Sequence, residues 1–190
     1  MEVILASGSP RRRELLTLAG VEYTVRPADV EEVVPEGMPA PEQSEYLALL
    51  KAEAAAKLYP EAIVIGADTT VIDGDTVLGK PKDAADAAAM LRELSGRTHQ
   101  VVTGVALVKG SEKVHFSSVT DVTFYPLTEE EIAAYVATGE PLDKAGAYGV
   151  QGKGFFLVRE LRGDYYTVVG LPLAETVRKL REMGAKVGTE

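Results

Sequence analysis

A short stretch near the N-terminus combines hydroxyl, glycine and arginine residues in an order typical of phosphate binding. An apolar strand predicted at residues 3–6 leads into Ser7-Gly8-Ser9, and a helix is predicted to begin at Pro10. Ser9 is a favourable N-cap residue, and Pro10 suits the first helical position because no donor is needed there. Backbone N–H groups and the positive end of the helix dipole then point to one spot, which is how many proteins hold phosphate. The alternative is an ordinary capped helix start.

Three consecutive arginines follow in the first turn of this helix. At helical spacing Arg11 and Arg12 lie above the apolar residue Leu15, whereas Arg13 aligns with Thr17 and should face solvent. Positive side chains at a helix N-terminus oppose the helix dipole unless an anion is present. The pattern predicts an anion site that uses Arg11 and Arg12, unless both arginines are simply solvated.

One aspartate stands where an ordinary structural role explains it poorly. Asp68 directly follows the continuous apolar run 62–67, which is typical of a strand covered on both faces. Because an isolated buried charge is costly, Asp68 needs a salt bridge, a helix to cap or a function. No helical pattern begins there, and Asp73-Gly74 instead predicts a tight hairpin. We therefore interpret Asp68 as functional.

Two lysines have side chains that could reach a ligand. A helix is predicted over residues 42–58, with an inner stripe formed by Leu47, Leu50, Ala54 and Leu58. Lys51 falls on that stripe, where its ammonium either snorkels outward or enters a cleft. Lys80 stands between Gly79 and Pro81, which restrain the backbone and leave the long side chain free. The surrounding residues do not form a Walker motif.

A glycine-rich segment over residues 139–154 cannot form a regular element. It contains G-V-Q-G-K-G at Gly149–Gly154, but this spacing is not the G-x-G-x-x-G of dinucleotide-binding folds, and no strand leads directly into it. We therefore reject that interpretation. The two histidines, His99 and His115, fall in strand patterns without metal-ligand spacing, so structural roles are expected.

Composition excludes several classes of function. With no cysteine in 190 residues, the chain has neither a disulfide framework nor a thiolate nucleophile. A net charge of −9 argues against general nucleic-acid binding, so no nucleic-acid partner is expected. No apolar run reaches the roughly 18 residues of a membrane span, and no secretory signal precedes the first strand, so we expect a cytoplasmic protein without a membrane partner. Such an acidic chain can hold a polyphosphate only through local basic residues or a bridging cation.

Several ordered segments together resemble the Maf family of nucleoside triphosphate pyrophosphatases, over nearly the whole chain. The segments are S-x-S-P-R-R-x-E-L-L from Ser7, G-A-D-T at Gly66–Thr69, G-K-P at Gly79–Pro81, L-S-G-R-T-H at Leu94–His99, D-K-A-G-A-Y-G-V-Q-G at Asp143–Gly152 and G-D-Y-Y-T-V-V-G-L-P at Gly163–Pro172. The resemblance implies hydrolysis of a nucleoside triphosphate to the monophosphate and pyrophosphate.

The resemblance also implies roles for individual residues. Lys51 is placed among the substrate-binding residues, with Ser7, Ser9, Arg12 and Lys80. Considered without the resemblance, Glu32 is explained as a solvated charge in a loop. The resemblance implies that it is a metal-site residue. This chain carries Arg11, Thr69 and Gln151 where the dTTP/UTP-preferring branch has the same residue types, whereas a branch acting on 7-methyl-GTP differs there. The resemblance further implies a homodimer.

The charge of the substrate suggests a mechanism. Arg12, Lys51 and Lys80 can position the phosphates. A hard divalent cation, Mg²⁺ or Mn²⁺, fits carboxylate ligands from Asp68 and Glu32. Asp68 could also orient or deprotonate the attacking water, and the sequence does not decide between these roles.

These residues come from distant parts of the chain, so the fold must bring them together. We expect one α/β domain over residues 1–190, with a long twisted mixed sheet, helices on both sides and two lobes around a cleft that gathers the candidate residues. Two helices are expected to begin at the N-cap Asp83 and at a capping box formed by Thr128 and Glu131. C-terminal strands are expected over residues 155–160 and through Val169, followed by a helix after Pro172. Two other functions stay open: a non-catalytic nucleotide-sensing or septum-formation factor, and a purine-directed pyrophosphatase.

Overall fold

The computed structural model describes residues 1–188, and within that part of the chain helices alternate with strands. The strands are β1 (Val3–Leu5), β2 (Thr24–Val25), β3 (Ile63–Asp73), β4 (Thr76–Leu78), β5 (Thr98–Lys109), β6 (Glu112–Phe124) and β7 (Val158–Arg162). The α-helices are α1 (Pro10–Leu18), α2 (Ala40–Ala56), α3 (Ala84–Leu94), α4 (Glu129–Ala137), α5 (Tyr165–Val169) and α6 (Leu173–Glu182). Short 3₁₀ helices occupy Glu140–Asp143, Ala145–Ala147 and Gly152–Phe156. Within residues 1–188, no helix is both long enough and apolar enough to cross a membrane.

The seven strands form one mixed sheet in the order β2-β1-β3-β5-β6-β7, with β4 paired to β3. Strand β1 is parallel to both β2 and β3, whereas the β3–β4 and β6–β7 pairs are antiparallel. Strands β5 and β6 are joined by a two-residue turn in which Gly110 takes a φ of +55°. A positive φ at this position is the geometry that tight hairpins require. The mixed sheet with flanking helices confirms the predicted α/β class.

The chain divides into two compact units, and each has its own apolar core. The first unit comprises Met1–Asp68, Thr103–Ser118 and the chain from Gly170 onward, and the second comprises Thr69–Val102 and Val119–Val169. Each core buries fully enclosed aliphatic side chains, which is the main favourable contribution to folding. The prediction of a single domain over residues 1–190 stays a prediction.

In the first unit, helix α2 lies unusually close to the sheet. Its buried residues are small: Ser44, Ala48, Ala52, Ala55 and Ala56. A Cβ atom on Gly66 of β3 would lie 2.1 Å from the carbonyl oxygen of Ala48, and one on Gly104 of β5 would lie 2.3 Å from the backbone nitrogen of Glu45. Because real Cβ atoms do not approach so closely, only glycine at these two strand positions allows the helix to pack where it does.

In the second unit, helices α3 and α4 begin with side-chain caps that the sequence predicts. The Asp83 side chain accepts a hydrogen bond from the Asp86 backbone nitrogen, and Thr128 with Glu131 forms a complete capping box. The unit's core includes three aromatic rings, His99, Phe124 and Tyr148, packed edge to face. His99 Nε2 lies 2.6 Å from the Tyr148 hydroxyl, which agrees with a structural role for this histidine.

The structure corrects the predicted inner face of α2. Leu47, Leu50 and Ala54 are only half-buried, and Leu58 lies beyond the helix with 75% of its surface exposed. The sheet-facing residues are the small ones instead, because the close approach to Gly66 leaves no room for leucine. The prediction assumed that the large apolar residues of α2 face the core, but in a helix packed this tightly the small residues do so.

The strands predicted near the C-terminus are also wrong in part. Residues 152–156 form a 3₁₀ helix, and β7 starts only at Val158. Tyr165–Val169 is the helix α5 where the apolar pattern predicts a strand. Asp164 explains the difference, because its carboxylate accepts hydrogen bonds from the backbone nitrogen and hydroxyl of Thr167, 2.9 Å from each, and so caps the helix start.

Candidate functional site

The N-terminus of α1 forms as the sequence predicts, with Pro10 at its first position. Ser9 occupies the N-cap position in an extended conformation, but its side chain makes no capping hydrogen bond. The backbone nitrogen of Ser9 instead donates to the hydroxyl oxygen of Ser7 at 3.3 Å. The turn is therefore organised by the buried Ser7 hydroxyl, and the Ser9 side chain is left out of the cap.

Among the three consecutive arginines, Arg12 makes hydrogen bonds to other segments of the first unit. Its Nη1 donates to Ser7 Oγ at 3.0 Å, and its Nε donates to the carbonyl oxygen of Gly170 at 2.8 Å. Arg13 is exposed, as the helical spacing predicts, and Arg11 is half-buried. The fixed guanidinium of Arg12 therefore holds the start of α1 against a segment 158 residues further along the chain.

Gly170 is a site residue whose contact with Arg12 is not predicted from the sequence. It stands in the G-D-Y-Y-T-V-V-G-L-P segment, which contributes to the family resemblance but does not indicate what Gly170 contacts. Its φ of +132° is a conformation that other residues rarely adopt. The residue with this backbone geometry is the one whose carbonyl accepts from Arg12, and its position in that segment is the signal that the sequence offers for this contact.

Lys51 connects two carboxylates. Its Nζ lies 2.9 Å from Asp68 Oδ1 and 3.0 Å from Glu32 Oε2. Only 13% of the Lys51 side chain and 16% of the Asp68 side chain are exposed, whereas Glu32 is 51% exposed. The structure thus brings together three of the predicted site residues, although Glu32 stands in a loop 19 residues before Lys51 and Asp68 lies on β3. Because both charges of the inner pair are largely shielded from water, their attraction is stronger than that of a surface ion pair.

The close packing of α2 explains why Lys51 reaches Asp68. Side chains two residues apart on a strand point to the same face, so Gly66 and Asp68 face the same side of β3. Gly66 lies against Ala48 and Ala52 of α2, and Lys51 is the residue before Ala52. Asp68 is not at the end of a strand, as predicted, but within the continuous strand Ile63–Asp73. It is the first charged residue after the fully buried part.

Electrostatics links Arg12 to the Lys51 cluster. Burial lowers the pKa of Arg12, and the charge of Arg11 lowers it further, while Asp68 and Glu32 act in the opposite direction. Arg12 therefore interacts electrostatically with Arg11 and with the two carboxylates that Lys51 contacts. Arg11, Arg12 and Lys51 are the local basic residues that an acidic protein needs in order to hold a polyphosphate.

Asp68 and Glu32 are the carboxylates of this cluster that could hold a metal ion. No group of three or more histidine, cysteine or carboxylate side chains suited to a metal lies within residues 1–188. Asp68 and Glu32 nevertheless contact the same cation, the Lys51 ammonium, so their nearer oxygens lie less than about 6 Å apart. Mg²⁺ is commonly held by one or two carboxylates together with waters and substrate phosphates. This hard oxygen donor set fits such an ion.

Three predicted site residues belong to the second unit. Thr69 directly follows Asp68 along β3 and is half-buried. Lys80 follows β4 and is exposed, as is Gln151, which precedes the 3₁₀ helix Gly152–Phe156. Their roles toward a substrate stay predictions.

Comparison with known proteins covers nearly the whole chain. The family model described as "Maf-like protein" matches residues 2–183. A protein of Bacillus cytotoxicus named "dTTP/UTP pyrophosphatase" is 55% identical over 179 residues, which cover 94% of each chain. A Bacillus pumilus protein of the same name is 50% identical over 183 residues, which cover 96% of this chain and 97% of the relative.

Proposed function

Because this chain belongs to the Maf family, we propose that it is a nucleoside triphosphate pyrophosphatase that hydrolyses dTTP and UTP to the monophosphate and pyrophosphate. The observation that carries the proposal is the 55% identity, over nearly the full length, to a relative that bears this name. The cluster of Arg12, Lys51, Asp68 and Glu32 supplies the chemistry that such a reaction needs.

The phosphates are bound in this proposal by the cations of the cluster. A triphosphate carries about four negative charges near neutral pH, and more charge develops on the bridging oxygen as the bond to it breaks. Arg12 is held in place by Ser7 and Gly170, which fixes the orientation of its guanidinium, a group that binds phosphate oxygens strongly. Lys51 acts as a compact point charge, and Ser9 and Lys80 are further phosphate contacts on the basis of the resemblance.

Asp68 is the proposed catalytic residue. Water adds to the α-phosphorus, the bond from this phosphorus to the α–β bridging oxygen breaks, and pyrophosphate leaves with that bond's electron pair. Asp68 orients the attacking water or accepts its proton. Lys51 lies against this carboxylate and fixes its position, which favours a single orientation of the water.

A divalent cation, Mg²⁺ or Mn²⁺, is the proposed cofactor, with Asp68 and Glu32 as its protein ligands. When bound, such an ion neutralises phosphate charge and lowers the pKa of water. Glu32 and Asp68 would supply carboxylate oxygens to the ion, and the Lys51 ammonium that contacts both of them would be shared with the phosphates.

The base is read in this proposal by Gln151, with Thr69 and Arg11. Uracil and thymine present an acceptor at O4 beside a donor at N3, and a glutamine amide can meet both at once. Such a bidentate contact is worth about 1–3 kcal/mol in protein–DNA recognition. A neighbouring group must fix the orientation of the Gln151 amide. Cytosine has the donor and the acceptor exchanged, so an amide that rotates freely could turn over and bind it equally well.

We further propose that the protein is a homodimer that works in the cytoplasm, where nucleoside triphosphates are abundant. Gel filtration with light scattering tests the first point, and cell fractionation the second.

One experiment tests the proposed activity. Purified protein is incubated with each common NTP and dNTP in the presence of Mg²⁺ or Mn²⁺, or with EDTA, and pyrophosphate release is measured. We expect turnover of dTTP and UTP above the other nucleotides, and loss of turnover in EDTA. Binding without turnover would instead indicate a nucleotide sensor, and a preference for purine nucleotides would indicate the purine-directed alternative.

A further inference from the structure

The carboxylate of Glu140 lies beneath the glycine-rich segment Gly149–Gly154 and holds its backbone. Its Oε2 accepts a hydrogen bond from the backbone nitrogen of Lys153 at 2.9 Å. Its Oε1 accepts one from the backbone nitrogen of Gly154 at 3.2 Å and another from the Tyr135 hydroxyl at 2.9 Å. One side chain therefore satisfies two consecutive backbone donors in the first turn of the 3₁₀ helix Gly152–Phe156.

The Tyr135 hydroxyl holds the other side of the same segment. It donates to Glu140 and accepts a hydrogen bond from the backbone nitrogen of Gly149 at 3.1 Å. The Tyr135 ring is 1% exposed, and burial raises the pKa of its hydroxyl, so this group stays protonated and keeps donating. Glu140 and Tyr135 form a connected pair, which we call the loop clamp, with contacts at residues 149, 153 and 154.

Two of the three glycines of G-V-Q-G-K-G are explained by this clamp. Gly152 takes a φ of +68°, and a Cβ atom there would lie 2.8 Å from Glu140 Oε2. A Cβ atom on Gly154 would lie 2.1 Å from the carbonyl oxygen of Gly149 and 2.9 Å from the Tyr135 hydroxyl. Larger residues would push the segment off the clamp. The sequence that superficially resembles a nucleotide loop thus wraps around a carboxylate and a phenol of the protein itself.

Glu140 is suited to this role because it remains ionised. Burial acts to raise the pKa of Glu140, but the hydrogen bonds from Lys153, Tyr135 and Gly154, with the charge of Lys144, lower it overall. The Lys144 Nζ also donates to the backbone carbonyl of Glu140 at 3.0 Å. A carboxylate accepts hydrogen bonds at both oxygens, and no neutral side chain of similar shape can do so.

We propose that Glu140 and Tyr135 are positioning residues for base selection, because they fix the backbone on both sides of Gln151. This inference rests on the proposed function, in which Gln151 reads the pyrimidine. Gln151 lies between the anchored residues Gly149 and Lys153, its side chain is exposed, and its backbone is extended. An amide that discriminates between donors and acceptors must be held at one place, and the clamp holds the main chain that carries it.

The test uses Glu140→Gln and Tyr135→Phe. An amide in place of the Glu140 carboxylate turns a donor toward one of its backbone N–H partners, and Tyr135→Phe leaves the Gly149 N–H without its acceptor. We expect kcat/KM for UTP to fall by about 10–100-fold and the UTP/CTP ratio to fall by about 10-fold or more. Glu130→Gln and Tyr125→Phe, both at exposed side chains, are the matched controls and should leave both quantities unchanged.

Two further measurements separate positioning from general damage. Hydrogen exchange should show lost protection at the amides of residues 149, 153 and 154, with the rest of the protected core unchanged. Glu140→Gln placed in a Gln151→Ala background should not change the UTP/CTP ratio further, because the residue it positions is gone. A further decrease in that background would overturn the inference.

The outcomes also distinguish this inference from the proposed function. If the unmodified protein hydrolyses neither dTTP nor UTP, the proposed function is wrong. If it does so selectively, while Glu140→Gln and Tyr135→Phe retain its UTP/CTP ratio, the positioning role is wrong and the function stands.

Discussion

Lys51 Nζ lies 2.9 Å from Asp68 Oδ1, although the two residues belong to a helix and a strand 17 positions apart. The contact exists because Gly66 removes the side chain that would otherwise hold α2 away from β3. The same ammonium contacts Glu32 at 3.0 Å. A helix of small residues, a strand glycine and a loop glutamate therefore jointly determine where the proposed catalytic carboxylate lies.

Asp68→Asn should abolish most turnover and preserve the fold. The substitution is nearly isosteric but removes both a base and an anionic metal ligand. We expect kcat for dTTP to fall by about 10²–10⁴-fold, as is typical for the loss of a general base. Pyrophosphate release measures the effect, circular dichroism checks the fold, and Asp75→Asn in the exposed β3–β4 turn is the control. A folded variant with nearly normal turnover would rule out this role for Asp68.

Arg12→Lys should impair catalysis, whereas Arg13→Lys should not. Lysine keeps the charge at position 12 but cannot contact Ser7, Gly170 and a phosphate with a planar fork. Charged hydrogen bonds contribute about 1.5–3 kcal/mol, so kcat/KM should fall by about 10–100-fold. Arg13 is exposed, and its variant is the control. Equal behaviour of the two variants would contradict the assignment of Arg12.

Gln151→Glu should lose activity toward UTP and dTTP and keep its metal dependence. The substitution replaces the amide donor with an acceptor and sets it against O4 of the base. We expect kcat/KM for the two preferred substrates to fall by at least about 10-fold, relative to CTP and GTP, in steady-state assays. An unchanged pyrimidine preference would exclude Gln151 as the base-reading residue.

Gly66→Ala should destabilise the protein, whereas Gly79→Ala should be nearly neutral. A Cβ atom at position 66 would overlap the backbone of α2, and nothing lies within 4 Å of a Cβ atom at position 79. Overpacking of this kind costs about 1–3 kcal/mol or more. In thermal unfolding, the Tm of Gly66→Ala should fall by about 2–4 °C for each kcal/mol of lost stability. If both variants melt like the unmodified protein, the close helix–sheet packing is not as described.

His99 should make the protein less stable as pH falls below neutrality. Burial lowers the pKa of His99 to about 4 from its ordinary value of 6.5, while Asp73 raises it and Arg97 lowers it to a smaller extent. Between these two pH values the unfolded chain binds a proton that the folded chain does not, so the free energy of unfolding decreases as pH falls. The contribution from this group is a loss of about 2 kcal/mol between pH 7 and pH 5.

The control for this prediction is His99→Gln, which keeps a polar group near the Tyr148 hydroxyl and cannot become protonated. Denaturant unfolding at pH 7 and pH 5 should show a smaller pH dependence in the variant by that amount. An identical pH dependence in the two proteins would mean that His99 takes up its proton over the same pH range in the folded and the unfolded chain.

Local features of this protein could be predicted from sequence alone. The start of α1 at Pro10, the cap at Asp83 and the capping box of Thr128 with Glu131 all follow from the chemistry of neighbouring residues. The family resemblance identified the activity and the candidate residues, because ordered segments over most of the chain carry it. Exposure of Arg13 followed from helical spacing, since it depends on one turn of helix.

Other features were decided only by tertiary structure. One hydrogen-bond acceptor of Arg12 is a carbonyl 158 residues away, and the backbone on either side of Gln151 is held by Glu140 and Tyr135. Which face of α2 packs on the sheet depends on Gly66, in the strand that follows this helix. Each of these contacts joins segments that no local propensity relates, because hydrogen bonding and packing depend on distance in space and local patterns report only on neighbours along the chain.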